Sequence, residues 1–390
     1  MRGFLRILVM AGVTIAAAGG GTAFAARTPR DPPVALKNKQ IFPADAEIEA
    51  LLRWIVEQRQ AKGIVVGLLE TNGTRRIISF GNAGEGARTL GRQSAFELGS
   101  MTKTFTGAIL ADMARRGEVS LNDPVEKYLP QGVIVPSKSG RQITLLDLAT
   151  HRSGLPPLPT AFRPPNRSNP FADYKAEHLY QFLASHELKR EIGAEAVYSN
   201  LGMGLLGHAL ARAAGAESYP ALVKQRIAKP LRLKMTGFGR AGSLGEWMSK
   251  GYNHKGEQVP YWDIAVLAGA GGLNSNVDDL LTYLKANVGP SRTPLERAMR
   301  DAHRPRGPLW NKEDWQVGLG WQTRMIDGRS IINHGGETAG FVTYMGFDPV
   351  SGAGVVVLSN SGAFEGANDL VFGLLGETPV ADLRNSLSGK

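Results

Sequence analysis

Apolar residues recur at helical spacing between Ala44 and Gly63, where Ile48, Leu51, Leu52 and Ile55 share one face and a glycine ends the run. The pattern then changes period. "IVVGLLETNGTRRIISFGNAG" reads as two strands joined at Asn72-Gly73, a dipeptide favoured in tight hairpins. From about Ser100 to Leu309 the pattern is mostly helical, broken by long polar and Pro-rich loops such as "HRSGLPPLPTAFRPPNRSNP". Strand patterning returns in "VGLGWQTRM", "SIINHGGETAGFVTYMGFDP" and "GAGVVVLSNS", and "ANDLVFGLLGE" reads as a closing helix. Strands at both ends with helices between them predict an α/β chain of the α+β type. Its antiparallel β-sheet is built from both termini and flanked by helices, a mostly helical subdomain is inserted, and a cleft lies between the two parts. The expected division is a sheet subdomain of residues 44–98 plus 312–380, a helical subdomain of 99–311, and one catalytic domain spanning 44–380.

The first residues follow a different logic. Arg2 and Arg6 precede an apolar run from Ile7 to about Gly19, and Ala23-Phe24-Ala25 has the small-x-small form of a cleavage site. Residues 1–25 are therefore expected to be a secretory signal peptide, with a Pro-rich linker over 26–43. Their apolar core is too short to span a bilayer, and no later stretch reaches eighteen apolar residues, so no transmembrane segment is expected in the mature protein.

Composition narrows the chemistry. The 390 residues are 43% hydrophobic, enough for a large core, and contain no cysteine, which excludes disulfides, thiolate catalysis and thiolate metal sites. The formal charge of +10 falls to +8 without the leader's two arginines. The basic residues are dispersed, with pairs such as Arg75-Arg76 and no basic–aromatic stripe, so nucleic acid is not an expected partner. No serine lies in Gly-x-Ser-x-Gly, the seven histidines show no tight metal-ligand spacing, and no P-loop occurs. Neither a metal nor an organic cofactor is expected.

Three short segments remain. In "FELGSMTKTFTGAILADMARRGE" Ser100 and Lys103 stand three apart at the mouth of an apolar run, which on a helix puts both on one face. Each also suits an ordinary helix start. In "EAVYSNLGMGLLGHALARAAG" Tyr198-Ser199-Asn200 precedes a helix ending near Gly215. This is either a plain N-cap turn or a phenol and an amide facing a cleft, where the Lys103 ammonium would favour the phenolate and let Tyr198 exchange protons. In "NHGGETAGF", Gly335 and Gly336 follow His334 in a strand; two glycines there mark a bulge or a close approach by a ligand or backbone.

In this order and spacing the segments resemble the serine penicillin-recognising enzymes, namely the class C β-lactamases and the related DD-peptidases and esterases. The resemblance covers nearly all of the mature chain. "FELGSMTKTFTG" is similar to the nucleophile motif, "GEVSLNDPVEKYLP" and "ITLLDLATHRSGLP" to the segments after it, and "YSN" to the Tyr-x-Asn element. "HGG" stands where those β-lactamases usually carry Lys-Thr-Gly, while "GAGGLNSNVDDLLTYL" and "ANDLVFGLLGETP" resemble the DD-carboxypeptidase/endopeptidase branch.

The resemblance implies a periplasmic serine hydrolase that forms an acyl-enzyme on D-Ala-D-Ala-type peptides or β-lactams, the latter as substrates or inhibitors. Ser100 is then the nucleophile, with Lys103 and Tyr198 in proton transfer. The N–H groups of Ser100 and Glu337, after Gly336, form the oxyanion hole, Asn200 binds the substrate amide, and His334 faces the substrate carboxylate. Histidine at 334 replaces a fixed cation by a group expected to titrate near neutrality, which makes peptide or ester hydrolysis as strong an expectation as β-lactam hydrolysis. A carboxylesterase and a non-catalytic cell-wall-binding homologue are the alternatives.

Overall fold

Ile48, Leu51, Leu52 and Ile55 are the buried face of the helix Asp45–Glu57, as their spacing requires. The next two strands, β1 (Gly63–Leu69) and β2 (Arg75–Gly81), form the hairpin. At its turn Gly73 has φ +84° and the Asn72 side chain accepts the Thr74 N–H at 2.9 Å. The computed structural model describes residues 40–159, 162–326 and 328–388, so the expected leader and most of the linker lie outside them.

Further along come β3 (Ala95–Glu97), β4 (Gly237–Phe238), the pair β5 (Gly251–Tyr252) and β6 (Gln258–Val259), and β7 (Leu273–Asn276). The C-terminal strands are β8 (Pro308–Leu309), β9 (Lys312–Val317), β10 (Gln322–Ile326), β11 (Arg329–Glu337), β12 (Val342–Phe347) and β13 (Gly354–Ser359). The main sheet has the order β2-β1-β13-β12-β11-β10-β9-β8, and its pairings are all antiparallel. The two ends of the chain therefore meet at the β1–β13 pair, where Ile64 faces Ser359 and Leu69 faces Gly354.

The central strands read as unbroken apolar runs because both of their faces are covered. Ile64, Val66, Leu68, Val355 and Val357 pack with the helices Asp45–Glu57, Ala367–Leu375 and Val380–Ser388. Val65, Leu69, Val356 and Leu358 face the helical part. There the helix Thr102–Arg115 is buried from Thr102 to Met113, apolar and polar positions alike, so it threads the interior.

Two details differ from the sequence reading. "VGLGWQTRM" is not one strand: β9 ends at Val317 and β10 begins at Gln322, separated by a turn in which Gly320 has φ +70° and Trp321 is fully buried. Leu273–Asn276 is a strand in a second sheet, β3-β7-β4, before Asn276 caps the helix Val277–Val288. Four residues show no period of their own, and the partner strand β3 lies far away in sequence, so only tertiary pairing defines this element.

Candidate functional site

The segment that carries Ser100 is fixed by the second sheet. Strand β3 leads into Leu98, whose N–H donates to Leu273 O at 2.8 Å, and the chain then makes one tight turn, Gly99–Met101, into the helix Thr102–Arg115. Thr102 Oγ1 donates to Gly99 O at 2.7 Å and accepts the Leu273 N–H at 3.1 Å, which clamps the turn to β7. Ser100 emerges partly exposed, one helical turn ahead of Lys103, which is completely buried.

Lys103 Nζ lies 2.9 Å from Ser100 Oγ, 2.7 Å from Asn200 Oδ1 and 2.7 Å from Ala270 O. A carbonyl oxygen only accepts, so two N–H groups go to Asn200 and Ala270. A neutral amine has two N–H groups and one lone pair, and the lone pair is then left for the Ser100 hydroxyl. Burial without a carboxylate partner holds Lys103 well below the ordinary lysine value of 10.5, which favours that neutral form.

Tyr198 and Asn200 are delivered by a turn whose middle residue caps the helix Asn200–Ala213, with Ser199 Oγ accepting the Gly202 N–H at 2.9 Å. The Lys103 Nζ lies 4.8 Å from the Tyr198 ring centroid. Sequence reasoning expected this cation to draw the phenol toward phenolate, and the structure corrects that. Burial pushes the Tyr198 phenol up, opposed only in part by a hydrogen bond with Ser100. Desolvation thus acts on both partners and favours an uncharged phenol beside an uncharged amine.

Strand β11 carries the third segment. Its pairing with β10 ends at Asn333, whereas its pairing with β12 continues to Glu337, so His334 to Glu337 extend beyond β10 and leave an edge next to Ser100. The second glycine makes room for the Ser100 turn, since a Cβ on Gly336 would stand 1.9 Å from Leu98 O and 2.9 Å from Ser100 N, whereas a Cβ on Gly335 would meet the Tyr344 ring at 2.6 Å. The turn answers with Gly99 at φ +50°, where a Cβ would meet Glu337 N at 2.6 Å. The N–H groups of Ser100 and Glu337 thereby belong to two backbones in direct contact. The Glu337 side chain is exposed.

His334 departs from expectation. Its ring is buried, and Nδ1 lies 2.6 Å from Gly335 O, so Nδ1 carries the proton. Burial first, and then the Lys103 charge, lower its pKa to about 3, so it does not titrate near neutrality. The remaining Nε2 is a buried acceptor with no hydrogen-bond partner among the described residues.

Sequence reasoning missed three contributors. Ala270 supplies only a carbonyl, which no side-chain pattern reveals. His151 stacks on Tyr198, with ring centroids 4.5 Å apart. Glu97 accepts the Trp262 N–H at 2.6 Å and the Thr338 hydroxyl at 2.7 Å, tying the cleft loop and the end of β11 to β3. Its signal was an acid inside the apolar strand "AFEL".

Burial raises the Glu97 carboxyl from 4.5 to about 7, against those two hydrogen bonds. Below about pH 4.5 it is protonated in both folded and unfolded states; between 4.5 and 7 the unfolded chain ionises first, so Glu97 makes stability fall as pH rises through that window. The expected contribution is on the order of 3 kcal/mol. Glu97→Gln cannot ionise, so urea unfolding across that window should show the wild type losing stability relative to the variant. Parallel curves would contradict the assignment.

The beta-lactamase family model matches residues 48–375. The D-alanyl-D-alanine-carboxypeptidase/endopeptidase AmpH of Escherichia coli K12 is 29% identical over 342 residues, covering 81% of this chain and 86% of that protein. A beta-lactamase of Pseudomonas fluorescens is 25% identical, covering 80% and 92%. Among solved structures, a beta-lactamase/D-alanine carboxypeptidase from Yersinia pestis, complexed with citrate, superposes with a TM-score of 0.72 at 26% identity, covering 87% of this chain and 98% of that one. With a family match that runs from the first helix to the helix after β13, the chain belongs to the beta-lactamase family of serine hydrolases.

Proposed function

We propose that this protein is an exported serine hydrolase that cleaves D-Ala-D-Ala-type peptides through a Ser100 acyl-enzyme and is acylated by β-lactams. The observation that carries the reading is the arrangement at Lys103: a fully buried Nζ, held at 2.7 Å by Asn200 Oδ1 and Ala270 O, stands 2.9 Å from the Ser100 hydroxyl in a place that disfavours the ammonium. An intact nucleophile–base pair of this kind also argues against a non-catalytic binding module.

In this mechanism Ser100 Oγ attacks the carbonyl carbon while its proton passes to Lys103 Nζ. The oxyanion is received by the N–H groups of Ser100 and Glu337. Tyr198, kept protonated by burial, gives its proton to the leaving group and recovers one from Lys103. Asn200 spends Oδ1 on Lys103, so its Nδ2 is the group left to bind a substrate carbonyl. The substrate chain lies along the β11 edge beyond Asn333, where backbone pairing is available. Water then attacks the acyl-enzyme and releases the acid.

The leaving group is where the neutral His334 matters. Every penicillin carries a carboxylate, and a neutral imidazole offers it no charge-assisted bond. A D-Ala-D-Ala peptide carries one as well, so the neutral ring does not separate that peptide from a β-lactam; a neutral ester loses nothing, which makes carboxylesterase activity the second reading. Export is supported by the leader-like residues 1–25, and among the described residues no helix is long and apolar enough to cross a membrane.

Ser100→Ala should lower kcat by about 10³-fold or more and abolish the mass increase on mixing with a penicillin; near-normal turnover would reject the reading. Lys103→Arg puts a permanent cation in place of the neutral amine and cannot yield a free lone pair, so acylation should fall about as far. Retention of more than about a tenth of the activity would show that no neutral amine is needed. Because His334 is already neutral, kcat/KM for an anionic and a neutral substrate should follow the same profile from about pH 5.5 to 9. A selective loss with the anionic substrate as pH rises through the middle of that range would restore a carboxylate-binding His334.

A further inference from the structure

The segment His151 to Pro157 runs from the end of "ITLLDLATHRSGLP" into the loop beside Tyr198. In the structure it is the bed on which the Tyr198–Asn200 turn is fastened. Val197 N–H donates to His151 O at 2.8 Å, Ser199 N–H to His151 Nδ1 at 3.2 Å, Ser199 Oγ to Pro156 O at 2.7 Å, and Asn200 N–H to Pro157 O at 3.0 Å. His151 therefore holds the chain immediately before and after Tyr198. It also touches Tyr198 itself, its ring tilted 39° against the phenol.

The residue is held in an unusual state. Its backbone is left-handed, with φ +60°, a conformation that histidine adopts more readily than most side chains but that remains strained. It is buried, and because Nδ1 accepts the Ser199 N–H, that nitrogen carries no proton. Burial, then Lys103 and His334, oppose a second proton on the ring. A histidine in a strained backbone, spending its backbone carbonyl and one ring nitrogen on a single three-residue turn, is more than filler for the core.

We propose that His151 is a positioning residue for acyl transfer: it acts on the reaction only through Tyr198, fixing the phenol against Ser100 and Lys103 by bracketing its backbone and bearing on its ring. The proposal rests on the reading of Ser100 and Tyr198 given above and adds to it a residue that touches no reacting atom. Its chemical content is orientation. Rotating or shifting the phenol removes proton delivery to the leaving group without altering the substrate-binding edge of β11.

The test is a double-mutant cycle on one ester or peptide substrate, with His151→Ala, Tyr198→Phe and the pair, each checked for thermal unfolding. His151→Ala should lower kcat by about 10–100-fold with KM changed less than about 3-fold, since geometry rather than binding is lost. In the Tyr198→Phe background, where no hydroxyl remains to orient, the same substitution should cost less than about 2-fold. His151→Asn is the second arm. Asparagine tolerates the left-handed backbone and its Oδ1 accepts the Ser199 N–H, so this variant should keep wild-type thermal stability while kcat stays at least about 5-fold down for want of the ring. Equal losses in the wild-type and Tyr198→Phe backgrounds would overturn the proposal, as would full recovery of kcat in His151→Asn. An active Ser100→Ala protein would instead overturn the underlying hydrolase reading, so the two failures are distinguishable.

Discussion

The site depends on a lysine that has lost its water. Lys103 sits in the first turn of a helix buried nearly throughout, with no carboxylate beside it among the described residues, and an isolated ammonium in such a place is strongly disfavoured. The protein answers with two acceptors, Asn200 Oδ1 and Ala270 O, which suit the two N–H groups of a neutral amine. The same desolvation keeps Tyr198 protonated and both His151 and His334 uncharged. Ser100 thus faces an uncharged amine, an uncharged phenol and two neutral imidazoles, a distribution set by one effect acting on four side chains.

The scaffold explains why these groups can be held so closely. Ser100 and Lys103 ride one helix start, the phenol and amide come from a turn pinned to the His151–Pro157 loop, and β11 supplies an edge that β10 does not cover. Each belongs to a different part of the chain, and contact between them is made at backbone level: Gly99 against Glu337, Gly336 against Leu98. Glu97 then ties β3 to the loop at Trp262 and to Thr338, so the nucleophile turn and the end of β11 share a buried support.

Much of this was legible in the sequence where chemistry and period act locally. The hairpin at Asn72-Gly73, the both-termini sheet and the Ser100–Lys103 spacing follow from turn preference, strand pattern and helix geometry. The Gly-Gly after His334 was legible as a close approach, and the approaching partners prove to be the backbone of the Ser100 turn at Gly336 and the Tyr344 ring at Gly335. What escaped was non-local. Strand β7 exists because β3 is there to pair with it, and Ala270 matters through a carbonyl that any residue would carry. The protonation states failed for the same reason: reference values place His334 near neutrality and the Tyr198 phenol under the sway of a cation, and only tertiary burial reverses both.

The most direct test of the account is the ionisation state of Lys103 itself. Protein labelled with ¹³C,¹⁵N-lysine, with the Lys103 side-chain signal identified by its loss in Lys103→Arg, can be titrated by NMR. At about pH 9, where surface lysines are still ammonium, the account requires the Lys103 Cε and Nζ shifts of a neutral amine, with the transition well below the others. A Lys103 that stays an ammonium and titrates with the surface lysines would contradict it.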